Sequence, residues 1–189
     1  MGFNPAATII PGKGTVLVAD PDTAAPTDYE TLDPRTLPVG SGWQALGHTS
    51  RENAVAMNKE GGEASQSGSW WEEALDSSYA ATTWGLTVNS LQVDALTLGL
   101  AFGGGTLDTA KGSYLVKDIV PQAKALYILM IGGNRRMGIY VPNTTISIGD
   151  APEIPTDTFF EISLSASILN SPTSGARFQF FHPALKASA

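Results

Sequence analysis

Acid–base chemistry near neutral pH is first a matter of histidine, and the chain holds two: His48 in LGHTS and His182 in FFHPA. Neither has a carboxylate beside it in sequence. Triads assemble in space, so sequence distance alone does not exclude one. Yet no serine sits in the G-x-S-x-G turn that raises a nucleophile above a sheet. Gly12-Lys13-Gly14-Thr15 has the look of a phosphate loop but fails its spacing. Ala7 stands where the first glycine belongs, and Gly14 follows the lysine where Ser or Thr is needed. It reads instead as the entry turn of a strand. Asp20-Pro21-Asp22 lacks the glycine and closing glutamate of a calcium loop. Glu72-Glu73 offers two carboxylates of the kind a glycosidase uses, but adjacent acids on a polar segment read as a solvated surface. With no cysteine, disulfides and thiolate metal sites are excluded. No catalytic, metal or cofactor residue is assigned, and none of these groups is expected to make the chain an enzyme.

The aromatic pair Trp70-Trp71 is a different kind of candidate. Exposed indoles can stack on a sugar ring, or they can anchor an interface between proteins. In a strand the two side chains point to opposite faces, so one at most joins an internal core. Contact with a partner is the preferred reading.

These residues need elements to hold them. Between Trp43 and Trp70 runs a long polar excursion with Glu60-Gly61-Gly62-Glu63 at its middle. A Gly-Gly pair between two strand-length runs predicts a β-hairpin, because glycine takes positive φ without steric cost. The returning arm, residues 63–69, is small and polar, and an isolated hairpin of that kind is marginal in water. The spacing therefore predicts a reaching hairpin, about residues 53–71, that pairs with another copy of the chain.

Around it, six prolines in the first forty residues predict an extended arm interrupted by one strand over residues 14–19. Residues 72–78 are expected to form a turn of helix, and residues 80–89 alternate as a half-buried strand. Leu91, Ala95, Leu98 and Phe102 recur at helical spacing, with Ser90 or Asn89 as the cap and Gly103-Gly104-Gly105 as the stop. Val93, Leu96 and Leu100 widen that stripe beyond one face, so this helix is expected to pack on a sheet and also on a neighbour. Strands are expected over 114–117, 123–131, 136–141, 143–149, 158–169 and 177–181. The apolar run 123–131 should be central, Gly132-Gly133-Asn134 should be a hairpin turn, and Phe160, Ile162, Leu164, Ala166 and Ile168 should face inward. The chain reads as mainly β, an antiparallel sandwich or barrel with one flanking α-helix. Residues 1–40 are an extended N-terminal arm with a first strand, and residues 41–189 a single β-sandwich domain.

Length and charge bound the rest. One core suffices for 189 residues. Charged residues make up 15%, against about 25% in ordinary soluble domains, so part of the surface is expected to be covered by neighbours. A net charge of −7 without a basic run argues against non-specific nucleic-acid binding, which depends on Lys and Arg displacing counterions. No signal peptide is expected. The longest apolar run falls far short of the roughly 20 residues of a membrane helix, so a soluble protein without membrane anchoring is expected.

The segment GWQALGHTSRENAVAMNKEGGEASQSGSWW, residues 42–71, resembles the hairpin region of major tail (tail tube) proteins of long-tailed phages, closest to those of actinobacterial phages. Leu46-Gly47-His48-Thr49-Ser50, Gly61-Gly62-Glu63 and Gly68-Ser69-Trp70 carry the likeness. Phe102-Gly103-Gly104-Gly105 and Arg135-Arg136 follow in the expected order. The resemblance runs from about residue 40 onward and fades over the first forty. It implies a structural virion protein in the phage tail, assembled in the host cytoplasm into stacked, hexameric rings that form a tube. It further implies a tape-measure protein in the lumen, tail terminator and tip proteins at the ends, and double-stranded DNA in transient, non-specific passage. Asn58, Lys59, Glu60, Gly61, Gly62, Glu63, Ser65, Trp70, Trp71 and Phe181 are then the candidates for contacts between subunits and rings. Val93, Leu96 and Leu100 are candidates for the helix at a subunit interface, and the N-terminal arm and the tail after Phe181 should also cross ring boundaries. The alternatives are a carbohydrate-binding module using Trp70-Trp71, or another virion protein such as a head decoration or tail terminator subunit.

Overall fold

A near-continuous apolar run buries both faces of a strand, and here that run lies in the interior of the sheet, with a strand on either side. The structure, a computed structural model, describes residues 3–38, 40–73 and 75–186. Its strands are β1 (Lys13–Ala19), β2 (Gln44–Ala45), β3 (Ala56–Glu60), β4 (Ala64–Ser67), β5 (Asp76–Tyr79) and β6 (Thr83–Ser90). After α1 (Ala95–Phe102) come β7 (Thr106–Asp108), β8 (Ser113–Leu115), β9 (Gln122–Gly132), β10 (Arg135–Ile148), β11 (Ile162–Ile168) and β12 (Gln179–Phe181). The main sheet runs β2-β1-β9-β10-β11-β6-β3 with β12 also paired to β10, and β4–β5 and β7–β8 form separate ribbons. Every pairing is antiparallel. The chain is thus mainly β with one α-helix, as its sequence predicts.

The turn at 132–134 forms as expected: Gly132 pairs with Arg135, and Gly133 alone takes positive φ (58°), the pattern of a type II′ hairpin. The two strands expected over 136–149 are one, β10, with a register shift between Val141 and Thr144. Pro142 has no N–H to give a ladder and falls within that bulge. The first half of β10 pairs with β12 and the second with β11.

Residues 44–50 then join the sheet's two ends. The Leu46 N–H donates to the Val16 carbonyl (2.9 Å), while the Ser50 N–H donates to Asn89 (2.8 Å) and the Leu91 N–H to His48 (2.9 Å). One short segment is therefore bonded to β1 at its start and to β6 at its end. Between them Gly47 takes φ 86°, and a Cβ there would sit 1.5 Å from Gln92 Oε1. That oxygen accepts from the His48 N–H (2.7 Å), so only glycine lets the crossing form.

Inside the closed sheet lie Val16, Val18, Leu86, Leu126, Leu164 and their neighbours, capped by Leu100 and Ala101 of α1. The helix starts later than its apolar spacing predicts. Asp94, not Ser90 or Asn89, caps it by accepting from the Thr97 N–H (2.8 Å), and Ser90 is a fully buried end of β6. Its buried face is Thr97, Leu100 and Ala101.

A second apolar cluster lies on the reverse face of β1 and β9, around Leu17, Ala125, Tyr127 and Leu129. Tyr29, Leu32 and Trp43 cover it. The Trp43 indole N–H donates to Ala24 O (2.9 Å), the Tyr140 hydroxyl to Thr23 O (2.7 Å) and Arg136 Nη1 to Leu32 O (2.7 Å). Residues 20–38 are therefore folded onto the chain's own sheet, where the sequence predicts an extended arm following its first strand. Two other expectations change. Residues 76–79 are strand, not helix, and β11 begins at Ile162, leaving Phe160 exposed.

The hydroxyl of Tyr127 is buried without a hydrogen-bond partner among the described residues. It occupies the space that a side chain at Gly138 would need, 1.9 Å from the Cβ position. Burial pushes this phenol above its ordinary value of 10.0, with Tyr29 adding to the shift. With the folded-state value raised, the unfolded chain releases its proton first. The contribution is complete below about pH 10 and is lost as pH rises through the folded-state value. Since an unpartnered buried hydroxyl costs about 1–3 kcal/mol, Tyr127→Phe should match or exceed the parent in stability. It should also flatten the alkaline fall. Urea unfolding at pH 7, 9 and 11 measures both.

Candidate assembly surface

β3 follows residues 51–55 and pairs with β6 from Ala56↔Thr87 to Glu60↔Thr83. Met57 lies opposite Leu86, both turned toward the inner core. This pairing overrides the hairpin predicted around Gly61-Gly62. The arm at 63–69 has no apolar side chain larger than that of Ala64 to set against Met57, whereas β6 presents Leu86 and Trp84. Gly61 and Gly62 do take positive φ (73° and 77°), but they serve a close crossing. A Cβ on Gly61 would lie 2.2 Å from Ala81 O, and one on Gly62 2.8 Å from Thr82 Oγ1. The chain then runs out into β4, which pairs with β5 from Ala64↔Tyr79 to Ser67↔Asp76. The protruding hairpin is thus β4–β5, not residues 53–71.

All eight ribbon positions are exposed. Its tip is tied by Ser69: its N–H donates to Glu72 O (2.7 Å), and its Oγ accepts from the N–H groups of Trp71 (3.2 Å) and Glu72 (3.0 Å). In that turn both indoles point to solvent, at 108% and 95% exposure for Trp70 and Trp71. The alternation expected of a strand does not apply, because the pair sits in the bend. An exposed apolar pair at the end of a polar ribbon marks a contact site. Glu72, Glu73 and Asp76 surround it, and residues 64–79 contain no lysine or arginine.

The other candidates separate clearly. Asn58, Lys59 and Glu60 are exposed on β3, which pairs only with β6 among the described strands. Glu63 and Ser65 lie on the ribbon leg and β4. Phe181 packs within its own chain against Tyr29 (5.6 Å) and Tyr127 (6.0 Å). Leu100 is 2% exposed in the inner core and Leu96 packs against that core, so of the helix candidates only Val93, just before α1, is open. Sequence reasoning missed Leu107, Leu115 and Ile119 around the β7–β8 ribbon and Ile154 and Phe159 before β11, all exposed. Leu107, Ile119 and Ile154 carried a signal, as apolar residues outside every expected strand, whereas Leu115 and Phe159 fell inside strands expected over 114–117 and 158–169.

The candidate chemical groups do not assemble. His182 Nδ1 accepts from the Ala184 N–H (3.0 Å), capping a short 3-10 turn. Ser50 Oγ and Asn53 Nδ2 both donate to Glu161 (2.6 and 2.8 Å), which ties residues 50–53 to the start of β11. Among the described residues, no group of three or more His, Cys, Asp or Glu gathers as a metal would require. No helix among them is long and apolar enough to cross a membrane.

A closed sheet carries a bare aromatic ribbon, and no catalytic or metal-binding group gathers beside it among the described residues. The family of phage tail tube proteins matches residues 1–189, and the chain belongs to that family. It is 32% identical over 163 residues to the major tail protein Gp23 of Mycobacterium phage D29, covering 83% of this chain and 82% of that one. Identity and coverage are the same for the major tail protein Gp23 of Mycobacterium phage L5. The resemblance read from residues 42–71 is therefore a family relationship, to phages of actinobacteria, and it displaces the carbohydrate-binding alternative.

Because the indoles of Trp70 and Trp71 are exposed, changing both to Ala should leave the unfolding free energy within about 0.5 kcal/mol of the parent. Trp43→Ala, in the outer core, should cost about 3–5 kcal/mol. Urea titration followed by far-UV circular dichroism separates the two.

Proposed function

We propose that this chain is the repeating subunit of a phage tail tube, self-associating into stacked, hexameric rings around a bore through which double-stranded DNA passes. The observation that carries the reading is the β4–β5 ribbon with its two bare indoles, which only another molecule can cover. The open edge of β3 supports it as well. Unpaired strand edges invite aggregation unless a partner closes them, and edge-to-edge joining of neighbouring sheets would do so around a ring. Asn58, Lys59 and Glu60 serve that edge, while Glu63, Ser65, Trp70 and Trp71 serve contacts between rings. A tape-measure protein fills the lumen before DNA, and terminator and tip proteins close the ends. The charge balance of −7 supports passage without adhesion. Repulsion from acids lining a bore reaches about one Debye length, ~8–10 Å.

Electron microscopy of the purified chain tests the reading. Tubes of stacked rings are expected; a single closed ring would point to a terminator, and a monomer at high concentration would overturn self-assembly. A ribbon deletion sharpens the test. The Ala80 N–H donates to Glu63 O (3.1 Å), so a short glycine linker can replace residues 64–79 without disturbing β3 or β6. That variant should unfold as cooperatively as the parent yet form no tubes.

A further inference from the structure

The closure of the sheet is incomplete, and the gap has a chemistry of its own. Residues 44–50 bond β1 to β6 at one end, but no ladder joins the first residues of β1 to β3. A cleft of about 570 Å³ opens between them. Ile128, Met130 and Ile139 line it with Val55 and Met57, which belong to the inner core cluster but are only partly covered. Lys13, His48 and Arg51 also line it, and no acid does. A volume within the roughly 300–1,000 Å³ of ligand sites can seat a bulky group, and two unbranched methionines make its walls adaptable.

The ribbon tip is the chemical complement of this cleft: two bare indoles followed by Glu72, Glu73 and Asp76, with no base between residues 64 and 79. In the single chain both indoles are exposed and neither lines the cleft, so its own cleft is not their seat. We propose that the Trp70-Trp71 tip of one copy inserts into the Met57–Met130 cleft of a second copy, with Glu72 and Glu73 meeting Lys13 and Arg51 at the mouth. Each copy gives a tip and receives one, so the contact is heterologous and propagates from subunit to subunit. The inference rests on the tail tube reading and assigns residues to one of its joints. Aromatic anchors in an apolar seat supply the affinity, and the charges at the mouth supply orientation and a salt-sensitive encounter rate.

The absence of native cysteine makes the contact directly testable. Ala54 in the cleft wall and Glu73 in the tip are both exposed, so Ala54→Cys and Glu73→Cys should each fold as the parent does. When the two single variants are mixed under mild oxidation, the 54–73 disulfide dimer should exceed the 54–54 and 73–73 dimers roughly tenfold, a bias of one decade in equilibrium preference. Glu72→Arg with Glu73→Arg should raise the concentration needed for assembly roughly tenfold, and Lys13→Glu with Arg51→Glu should restore it. Tubes that form while the 54–73 product stays at the level of a Ser165→Cys control would overturn this contact and leave the tube reading standing. An intrachain bridge in the doubly substituted monomer would also overturn it. A parent chain that never assembles would overturn both.

Discussion

The fold depends on a crossing only seven residues long. Residues 44–50 take their first hydrogen bond from the middle of β1 and their last from the end of β6, and without them the sheet would have two distant edges. The apolar interior makes sense only in the closed form, because Val16 and Val18 on β1 and Leu86 and Val88 on β6 belong to one cluster. The chain can make the crossing because Gly47 has no side chain and Gln92 fills that space, holding the next backbone N–H. Thr15 reinforces it, its hydroxyl donating to Gly47 O (2.8 Å). A backbone contact, not a side-chain cluster, thus sets which residues become interior.

Closure in turn explains the two faces of the central pair. Once β1 and β9 wall the interior on one side, their reverse faces need a cover of their own, and residues 20–38 supply it with Trp43. That loop is irregular, and irregular backbone near a core must find partners for its polar groups. It does so through side chains, with Trp43, Tyr140 and Arg136 donating to the carbonyls of Ala24, Thr23 and Leu32. The near-continuous apolar run at 123–131, broken only by Lys124, and the short one at 14–19 are the sequence trace of strands buried on both sides.

What could be read from the residues divides along the range of the forces involved. The central strand, the 132–134 turn and the alternation from Ile162 to Ile168 rest on local pattern, and all are present. The helix was shifted because Asn89, Ser90 and Asp94 are all competent caps, and only the burial of Ser90 in β6 decides for Asp94. The pairing of β3 is not legible locally because Gly-Gly serves a tight turn and a close crossing equally well, and the choice belongs to Leu86, nearly thirty residues on from Met57. Burial of Leu100 and Phe181 likewise hangs on distant contacts that periodicity does not encode. Trp70 and Trp71 were legible as exposed aromatics, but the bend that frees both was not.

The glycine crossing at the root of the β4–β5 ribbon has a mechanical side. Two strands leave the body there with backbone nearly touching backbone, so the angle of departure is decided at residues 61–62 and 81–82 alone. From that pivot to the indoles is about eight residues of extended chain, ~25 Å, and a tilt of about ten degrees at the base would swing the tip by ~4 Å. The ribbon is in effect a lever whose aim is governed far from its working end. Small changes at the root can retune where the tip lands, and so the pitch of anything built from it, while the chemistry at the tip stays untouched.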